Sequence, residues 1–416
     1  MKLVHFNTFE GGGGAAKASL ALHRAMLDLG VEATLFVHRK TSLDTTVVGL
    51  PPSKFGLLNK RLIPRFLSVI HYMLYRPLET WSFGLFGNRS VTRHGKVKEA
   101  DIISLSWVSW FLDIDAIGQL LKQNKPVVWT CYDMWAFTGG CHYAGDCDLF
   151  TASCGSCPQL GHADGRDISQ WLWEKKKKSW DISWLTIVCP SRWLAECVRK
   201  SGLLSEVRVE VIPTGIDIST FKPMSKIDAR NLSGLPLDKK LVLFIASRGF
   251  ANERKGGKLL EESLHVLHDL YQGDVPDIVI LGHRQGASSV DEKYTIHSKA
   301  FNDDLSLARL YAACDVLVAP SKADTLPLTV LQSMACGTPC VAYDAGGMGD
   351  VIEHLNNGYL AQPFDIGDFA RGIDFVLADE SRHTSFSTAS INKIHTGFTA
   401  KHEAGHYLQL YEELLS

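Results

Sequence analysis

The chain has 416 residues, 45% of them hydrophobic and 21% charged, with a formal net charge of −2. That balance gives no basis for nucleic-acid binding. No apolar run reaches the length of a membrane span, and the longest, Ile102 to Leu121, is broken by Asp113 and Asp115. The size and apolar content imply two or three globular domains with ample core, and ten cysteines scattered along so long a chain argue against a disulfide framework.

The start, Met1 to Phe6, is too short in its apolar part for a signal peptide; Lys2 to Phe6 reads as a first strand, which points to the cytoplasm. A glycine-rich loop with Gly11, Gly12, Gly13 and Gly14 follows, then a helix from Ala15 to about Leu29 and a second strand from Val31 to His38. In such a βαβ unit the glycines let a ligand approach the backbone, and the helix start favours an anion. The spelling is not GxGxxG and no acid closes the second strand, which weakens a dinucleotide reading. The alternative is a tight turn without a ligand.

From Pro51 to Asn88 the alternation breaks, and Phe55, Phe66, Tyr72, Tyr75, Trp81, Phe83 and Phe86 stand among Lys60, Arg61, Arg65, Arg76 and Arg89. That mixture suits a membrane surface or a bulky apolar substrate, or equally a pair of insertion helices. Asp101 to Trp107 and Pro126 to Thr130 read as strands. After the second come Tyr132 and Asp133, an acid placed either to orient an acceptor or to cap a turn. Cys141, Cys147, Cys154 and Cys157 follow in a loop rich in Gly, Asp and Ser. A CxxC with two further thiols can close a tetrahedral structural zinc site; reduced packing cysteines or a disulfide pair are the alternatives. Lys175 to Lys178, after Trp171 and Trp173, read as a solvated helix face, or as a lipid contact. Thr186 to Cys189 and Val207 to Ile212 complete the strands of this half.

A second α/β half then begins with the strand Leu241 to Ile245. Its loop carries Arg248, Arg254 and Lys255 between glycines and leads into a helix, the arrangement of a diphosphate site. Asp277 to Leu281, running into Gly282 and His283, and Tyr294 to His297 read as strands, and Asp304 to Ala313 as a helix. The apolar run Asp315 to Ala319 is a buried strand; after it come Asp324, a helix that ends at Gly337, and the strand Cys340 to Tyr343. Ligands of open α/β sheets bind at such carboxyl strand ends. The last helix, Ala400 to Leu415, has one apolar face with Tyr407, Leu410, Tyr411 and Leu414.

Taken in order, these pieces resemble the retaining GT-B glycosyltransferases of the family 4 type. The pieces are Gly11 to Gly14, Asp133 to Cys141, Cys154 to Leu160, Pro190 to Leu194, Ile212 to Asp217, Arg254 to Gly256 and Asp324 to Pro339. The resemblance is in particular to the bacterial branch that builds surface polysaccharides (O-antigen, capsule or exopolysaccharide).

The resemblance implies an α/β fold of two Rossmann-like lobes facing across a cleft: 1–216 for the acceptor, 217–396 for a nucleoside diphosphate sugar, and 397–416 as a helix packing back on the first. It assigns Asp324 to hydroxyls of the donor sugar, with Thr325, Leu326 and Thr329 beside it, and Lys255 with Arg254 or Arg248 to the diphosphate. Gly12, Gly13 and Gly14 would face the donor, and His283 and His297 the base. No catalytic metal is expected.

The implied reaction moves a hexosyl unit to a glycan or polyprenyl-linked glycan at the inner face of the membrane. The residues depart from the family at two places. Gln332 stands where a Glu usually binds the ribose, and Tyr132 where a His usually lies near the transferred sugar. An epimerase of the same fold and a decayed scaffold of a polysaccharide assembly complex are the alternative functions.

Overall fold

The computed structural model describes the chain except residues 51–80, 162–166, 272–274, 283–289, 291 and 302. The chain divides into two compact units, Met1–Ile212 with Glu403–Ser416, and Pro213–His402. Among the described residues no helix is long and apolar enough to cross a membrane.

The first unit holds a seven-stranded parallel sheet of β1 (Lys2–Phe9), β2 (Glu32–Arg39), β3 (Val47–Gly49), β4 (Ile102–Leu105), β5 (Val127–Thr130), β6 (Leu185–Cys189) and β7 (Arg208–Val211). Its order is β3-β2-β1-β4-β5-β6-β7. The helices are α1 (Gly14–Asp28), α2 (Gly95–Glu99), α3 (Ile114–Leu121), α4 (Ile168–Ser179) and α5 (Arg192–Lys200). Strand side chains alternate faces, and both faces are apolar here. Val4, Phe6, Ile103, Leu105, Val127 and Ile187 enter one core. Leu3, Ile102, Val128 and Val188 enter the other, where they meet Ala404, Tyr407, Leu410 and Tyr411. Burial on both sides is the reason these strands read as unbroken apolar runs.

The second unit holds a six-stranded parallel sheet in the order β10-β9-β8-β11-β12-β13. The strands are β8 (Leu241–Ile245), β9 (Asp277–Leu281), β10 (Ile296–Lys299), β11 (Val316–Ala319), β12 (Cys340–Tyr343) and β13 (Gly358–Ala361). Its helices are α6 (Lys226–Ser233), α7 (Gly257–Leu270), α8 (Asp304–Ala313), α9 (Leu328–Ala335), α10 (Ile366–Leu377) and α11 (Glu380–Gly397); α12 (Ala400–Leu415) closes the chain. Alternation again splits the core, with Leu241, Leu243 and Leu317 on one face and Val242, Phe244, Val316 and Val318 on the other.

Order reverses between β1 and β4 in the first sheet and between β8 and β11 in the second. Loops leaving the carboxyl ends of those strands diverge to opposite faces and leave a crevice, which is where open α/β sheets bind ligands.

The amino end of β11 is fixed by a buried charge. Asp315 accepts from Arg230 Nη2 at 2.8 Å, from Lys226 Nζ at 2.8 Å and from the Leu241 N–H at 2.7 Å. Arg230 also donates to the carbonyls of Ala313 and Leu237. Both Arg230 and Asp315 are buried, so removing one partner strands the other's charge. Asp315→Ala is expected to destabilise the second unit by about 3–5 kcal/mol, seen as a lowered urea midpoint for that unit.

Candidate functional site

In the second unit the site is built from the loops after β8 and β11, the two strands at the switch point. The β8 loop runs through a 3₁₀ turn at Gly249–Ala251 before α7 begins at Gly257. Gly256 caps α7 with φ 72, and a Cβ there would stand 1.8 Å from the Pro320 carbonyl oxygen of the β11 loop. The glycine therefore lets the two loops touch. Lys322 N–H donates to the Arg254 carbonyl at 2.9 Å and locks that contact.

The loops are joined by charge as well. Lys255 Nζ lies 2.6 Å from Asp324 Oδ2, and Arg254 Nη1 lies 3.4 Å from Asp324 Oδ1 and 3.0 Å from the Ala323 carbonyl. Burial alone would raise the Asp324 carboxyl; the charges of Lys255 and Arg254 outweigh it and hold the group below the ordinary carboxylate range. Arg248, half-buried, caps the 3₁₀ turn of the same loop. The two loops carry Arg248, Arg254, Lys255 and Lys322 against Glu253 and Asp324, an excess of positive charge at the strand ends that suits an anion carrying two charges. The Asp324 carbonyl accepts from Gly347 N–H at 2.8 Å. Gly346, φ 63, leaves no room for a Cβ against that same carbonyl.

Thr325 and Leu326 are buried beside Asp324, and Thr329 is half-buried in the first turn of α9, whose amino end has no side-chain cap. Gln332 is buried, and its carboxamide oxygen already accepts from Tyr311 of α8 at 3.2 Å. His283 lies outside the described residues. His297 departs from expectation: its Nε2 is 2.8 Å from Asp277 Oδ2, at the amino end of β9. A parallel strand presents only its carboxyl end to the crevice, so this pairing with Asp277 holds His297 away from the place expected for the base.

In the first unit the glycine turn after β1 carries φ 84 at Gly12 and φ 88 at Gly13, and no atom lies within 4 Å of a Cβ built at Gly11, Gly12 or Gly13. The residues are required for backbone conformation, and the space beyond them is open. Glu10 anchors the turn. Its Oε2 accepts from the N–H groups of Thr41 and Ser42 and from the Thr41 hydroxyl. Burial alone would raise the group; these hydrogen bonds win and bring it to about 2.

Asp133, after β5, is the centre of a buried network. Oδ2 accepts from Trp107 Nε1 at 2.7 Å and His142 Nδ1 at 2.5 Å, and Oδ1 accepts from Trp135 N–H at 2.8 Å. His142 and Trp107 gave no sequence signal, because both lie far from Asp133 in any regular repeat. Tyr132, next in the chain, is half-buried. Burial, and then the nearby Glu403 carboxylate, push its phenol well up. Asp113 and Asp115, which spell DxD, are engaged by Arg89 at 2.7 Å each.

Lys177 and Lys178 are exposed and Lys175 is half-buried, as a solvated face requires, but Lys176 departs from it. It is buried under the 133–142 loop, donates to the Trp135 and Thr138 carbonyls and lies 3.8 Å over the Trp135 ring. Burial lowers it to about 7. Cys141, Cys147, Cys154 and Cys157 do line one small cavity together, with Trp81 and Phe150. Among the described residues, however, no three His, Cys, Asp or Glu side chains are grouped to hold a metal ion, so the thiols as placed do not fit the expected zinc. Burial pushes Cys141 up to about 12 and Cys154 to about 11, as for packed thiols. The aromatic-basic stretch lies mostly in 51–80, outside the described residues; of its described end, Trp81 is buried in the first unit's core.

Each unit is thus a parallel Rossmann-like sheet with polar residues gathered at its switch point. The family model for Glycosyltransferase Family 4 matches residues 12–220, and that for Glycosyl transferases group 1 matches residues 225–393. The chain belongs to Glycosyltransferase Family 4.

Among its relatives, the D-inositol 3-phosphate glycosyltransferase of Stackebrandtia nassauensis is 29% identical over 223 residues, 50% of this chain and 49% of that protein. The enzyme of the same name from Mycobacterium sp. (strain KMS) is 30% identical over 182 residues, 41% of this chain and 40% of that protein. The chain thus spans half or less of the length of these curated relatives.

Among solved structures, sucrose-phosphate synthase from Thermosynechococcus elongatus superposes with a TM-score of 0.65 at 18% identity, covering 100% of this chain and 99% of that one. Anabaena HepE in complex with UDP-glucose gives 0.66 at 16%, covering 99% and 100%. WaaG, a glycosyltransferase involved in lipopolysaccharide biosynthesis, gives 0.59 at 12%, covering 98% and 99%. At such identities the likeness is one of fold, that of the GT-B proteins.

Glu10 supplies a pH test. Its folded value of about 2 lies below the ordinary 4.5, so the folded state binds its proton less tightly than the unfolded chain does. The stability it contributes is present above about 4.5 and is lost as pH falls through about 2. The melting temperature of Glu10→Gln is expected to lie below wild type at neutral pH, with the gap narrowing as the pH is taken down through that window.

Proposed function

We propose that the chain moves a hexosyl unit from a nucleoside diphosphate sugar to an acceptor hydroxyl, with retention at the anomeric carbon. The observation that supports this is the Lys255–Asp324–Arg254 constellation at the carboxyl ends of β8 and β11. In this reading Lys255 and Arg254, with Arg248, bind the diphosphate and stabilise the charge that grows on it as the glycosidic bond breaks. The acceptor hydroxyl attacks the same face that the diphosphate leaves, and the departing phosphate oxygen takes its proton. Asp324 holds the cations and reaches the hydroxyls of the donor sugar, while Gln332 turns its carboxamide from Tyr311 to a ribose hydroxyl.

The donor to try first is UDP-glucose, the ligand named for HepE. The acceptor is a glycan or polyprenyl-linked glycan of bacterial surface-polysaccharide synthesis, reached at the inner membrane face. The role named for WaaG agrees with that assignment. The curated relatives' name makes D-inositol 3-phosphate the competing acceptor.

A panel of nucleotide sugars read by melting temperature tests the donor, since a ligand at a hundred times its Kd adds about 2.7 kcal/mol to the folded state. Lys255→Ala is expected to remove that shift and to lower transfer roughly a hundredfold or more while keeping the circular dichroism of the wild type. Wild-type-like transfer by this variant would sink the diphosphate assignment. Gln332→Glu is expected to tighten donor binding by a charge-assisted bond to ribose; unchanged donor affinity in calorimetry removes residue 332 from the nucleotide site.

A further inference from the structure

One buried constellation of the first unit is left over by this chemistry. Beyond its bond to Asp133, His142 presents Nε2 at 2.8 Å from Ser82 Oγ. A carboxylate can only accept, so Nδ1 carries the proton that faces Asp133, and in the neutral ring Nε2 accepts from the Ser82 hydroxyl.

Ser, His and Asp in this order spell a nucleophile relay, but the surroundings oppose one. Ser82 is 5% exposed. Its N–H donates to the Gly140 carbonyl and its own carbonyl accepts from Trp135 Nε1. Asp133 is held by three donors, and His142 and these bonds outweigh burial to keep its carboxyl below the ordinary range. A carboxylate so engaged is a weak base. The end of the relay that reaches outward is therefore the Trp107 indole.

Trp107 follows β4 and Phe9 ends β1, the two strands at the switch point. Their rings stack at 5.8 Å with 21° between planes, the His142 ring stacks on the same indole at 5.7 Å with 29°, and Phe9, 43% exposed, is the outward ring. The open glycine turn starts two residues after Phe9. In the same loop as Trp107, Trp110 is 62% exposed at φ 72, a left-handed backbone that bulky side chains seldom adopt and that clusters at functional sites.

We infer that His142 is a positioning residue: with Ser82 and Asp133 it locks the Trp107 indole, and the Phe9–Trp107 pair so fixed receives the C–H face of a pyranose ring of the acceptor. The negative face of an aromatic ring attracts the polarised C–H groups of such a ring, and an indole that cannot rotate loses less entropy on binding it. The pyranose part rests on the glycosyltransferase reading; the locking of the indole does not.

Proton–nitrogen NMR of the indole N–H groups tests both parts, with Trp107→Phe identifying the Trp107 signal. In the wild type this N–H is expected to exchange slowly. His142→Ala is expected to speed exchange roughly tenfold or more, the worth of one charge-assisted hydrogen bond. His142→Asn, whose amide can stand in for Nδ1–H, is expected to restore much of the protection. Unchanged exchange in His142→Ala overturns the positioning role; if that variant does not fold, Ser82→Ala provides the same readout one bond further back.

Millimolar methyl α-D-glucopyranoside or methyl α-D-mannopyranoside is expected to move the wild-type Trp107 signal. If neither does, or if hexanol alone does, the pyranose face is overturned, the latter in favour of a lipid chain. The UDP-glucose melting shift measured on the same samples is expected to survive His142→Ala. Its absence from the wild type counts against the donor reading alone, while its loss only in His142→Ala overturns a role confined to the acceptor face.

Discussion

Asp324 holds Lys255 at 2.6 Å and Arg254 at 3.4 Å, and the second unit's site depends on that attachment. Two cations side by side repel, and long side chains at a strand end would otherwise spend their time in water. One buried carboxylate from the neighbouring strand's loop removes both problems and aims the pair. The backbone makes the same connection independently, through Lys322 N–H to the Arg254 carbonyl and through Gly256, where a side chain would strike Pro320. The parallel sheet supplies the reason these loops can meet: β8 and β11 are neighbours in space and far apart in the chain.

The first unit solves the matching problem without a lysine or arginine on the carboxylate. Asp133 is fixed by an indole, an imidazole and a backbone N–H, and the loop beneath it is fixed by Lys176 reaching two of its carbonyls. A lysine brought to about 7 by burial is a destabilising choice below that value, because the folded state must then take up a proton in an apolar site. Between about 7 and the ordinary 10.5 the unfolded chain binds more protons than the folded one, so this group's penalty shrinks as pH rises. Such a group persists where a carbonyl-lined turn has no other donor.

Much of this was legible in the residues. The strands that are buried on both faces announced themselves as apolar runs, and the loops at their carboxyl ends carried the glycines and charges that matter. β1 runs to Phe9 rather than Phe6, and α1 begins at Gly14, because the positive φ of Gly12 and Gly13 sets the turn. β3 and β13 were missed: each is an edge strand, short and only partly buried, with little apolar pattern to betray it. His297 and Lys176 misled for a common reason. Sequence order says which residues are near a loop, not which way a side chain points once its strand or helix is packed.

The sequence by itself determined the alternation of strands and helices in two halves and the glycine-rich and charged loops at strand ends, since these follow from local apolar patterning, glycine punctuation and charge; that Arg254, Lys255 and Asp324 serve one donor site was implied only by the family resemblance. Only the tertiary structure decided that Asp324 is the anchor of the two cations, that Gly256 serves a contact between loops, that Gln332 is already bonded to Tyr311, and that His142 and Ser82 stand behind Asp133 and Trp107. The 60 positions that separate Ser82 from His142 carry no periodicity that could bring them together. Their meeting is set by the pairing of Trp81 with Cys141 and by burial, which are properties of the folded chain alone.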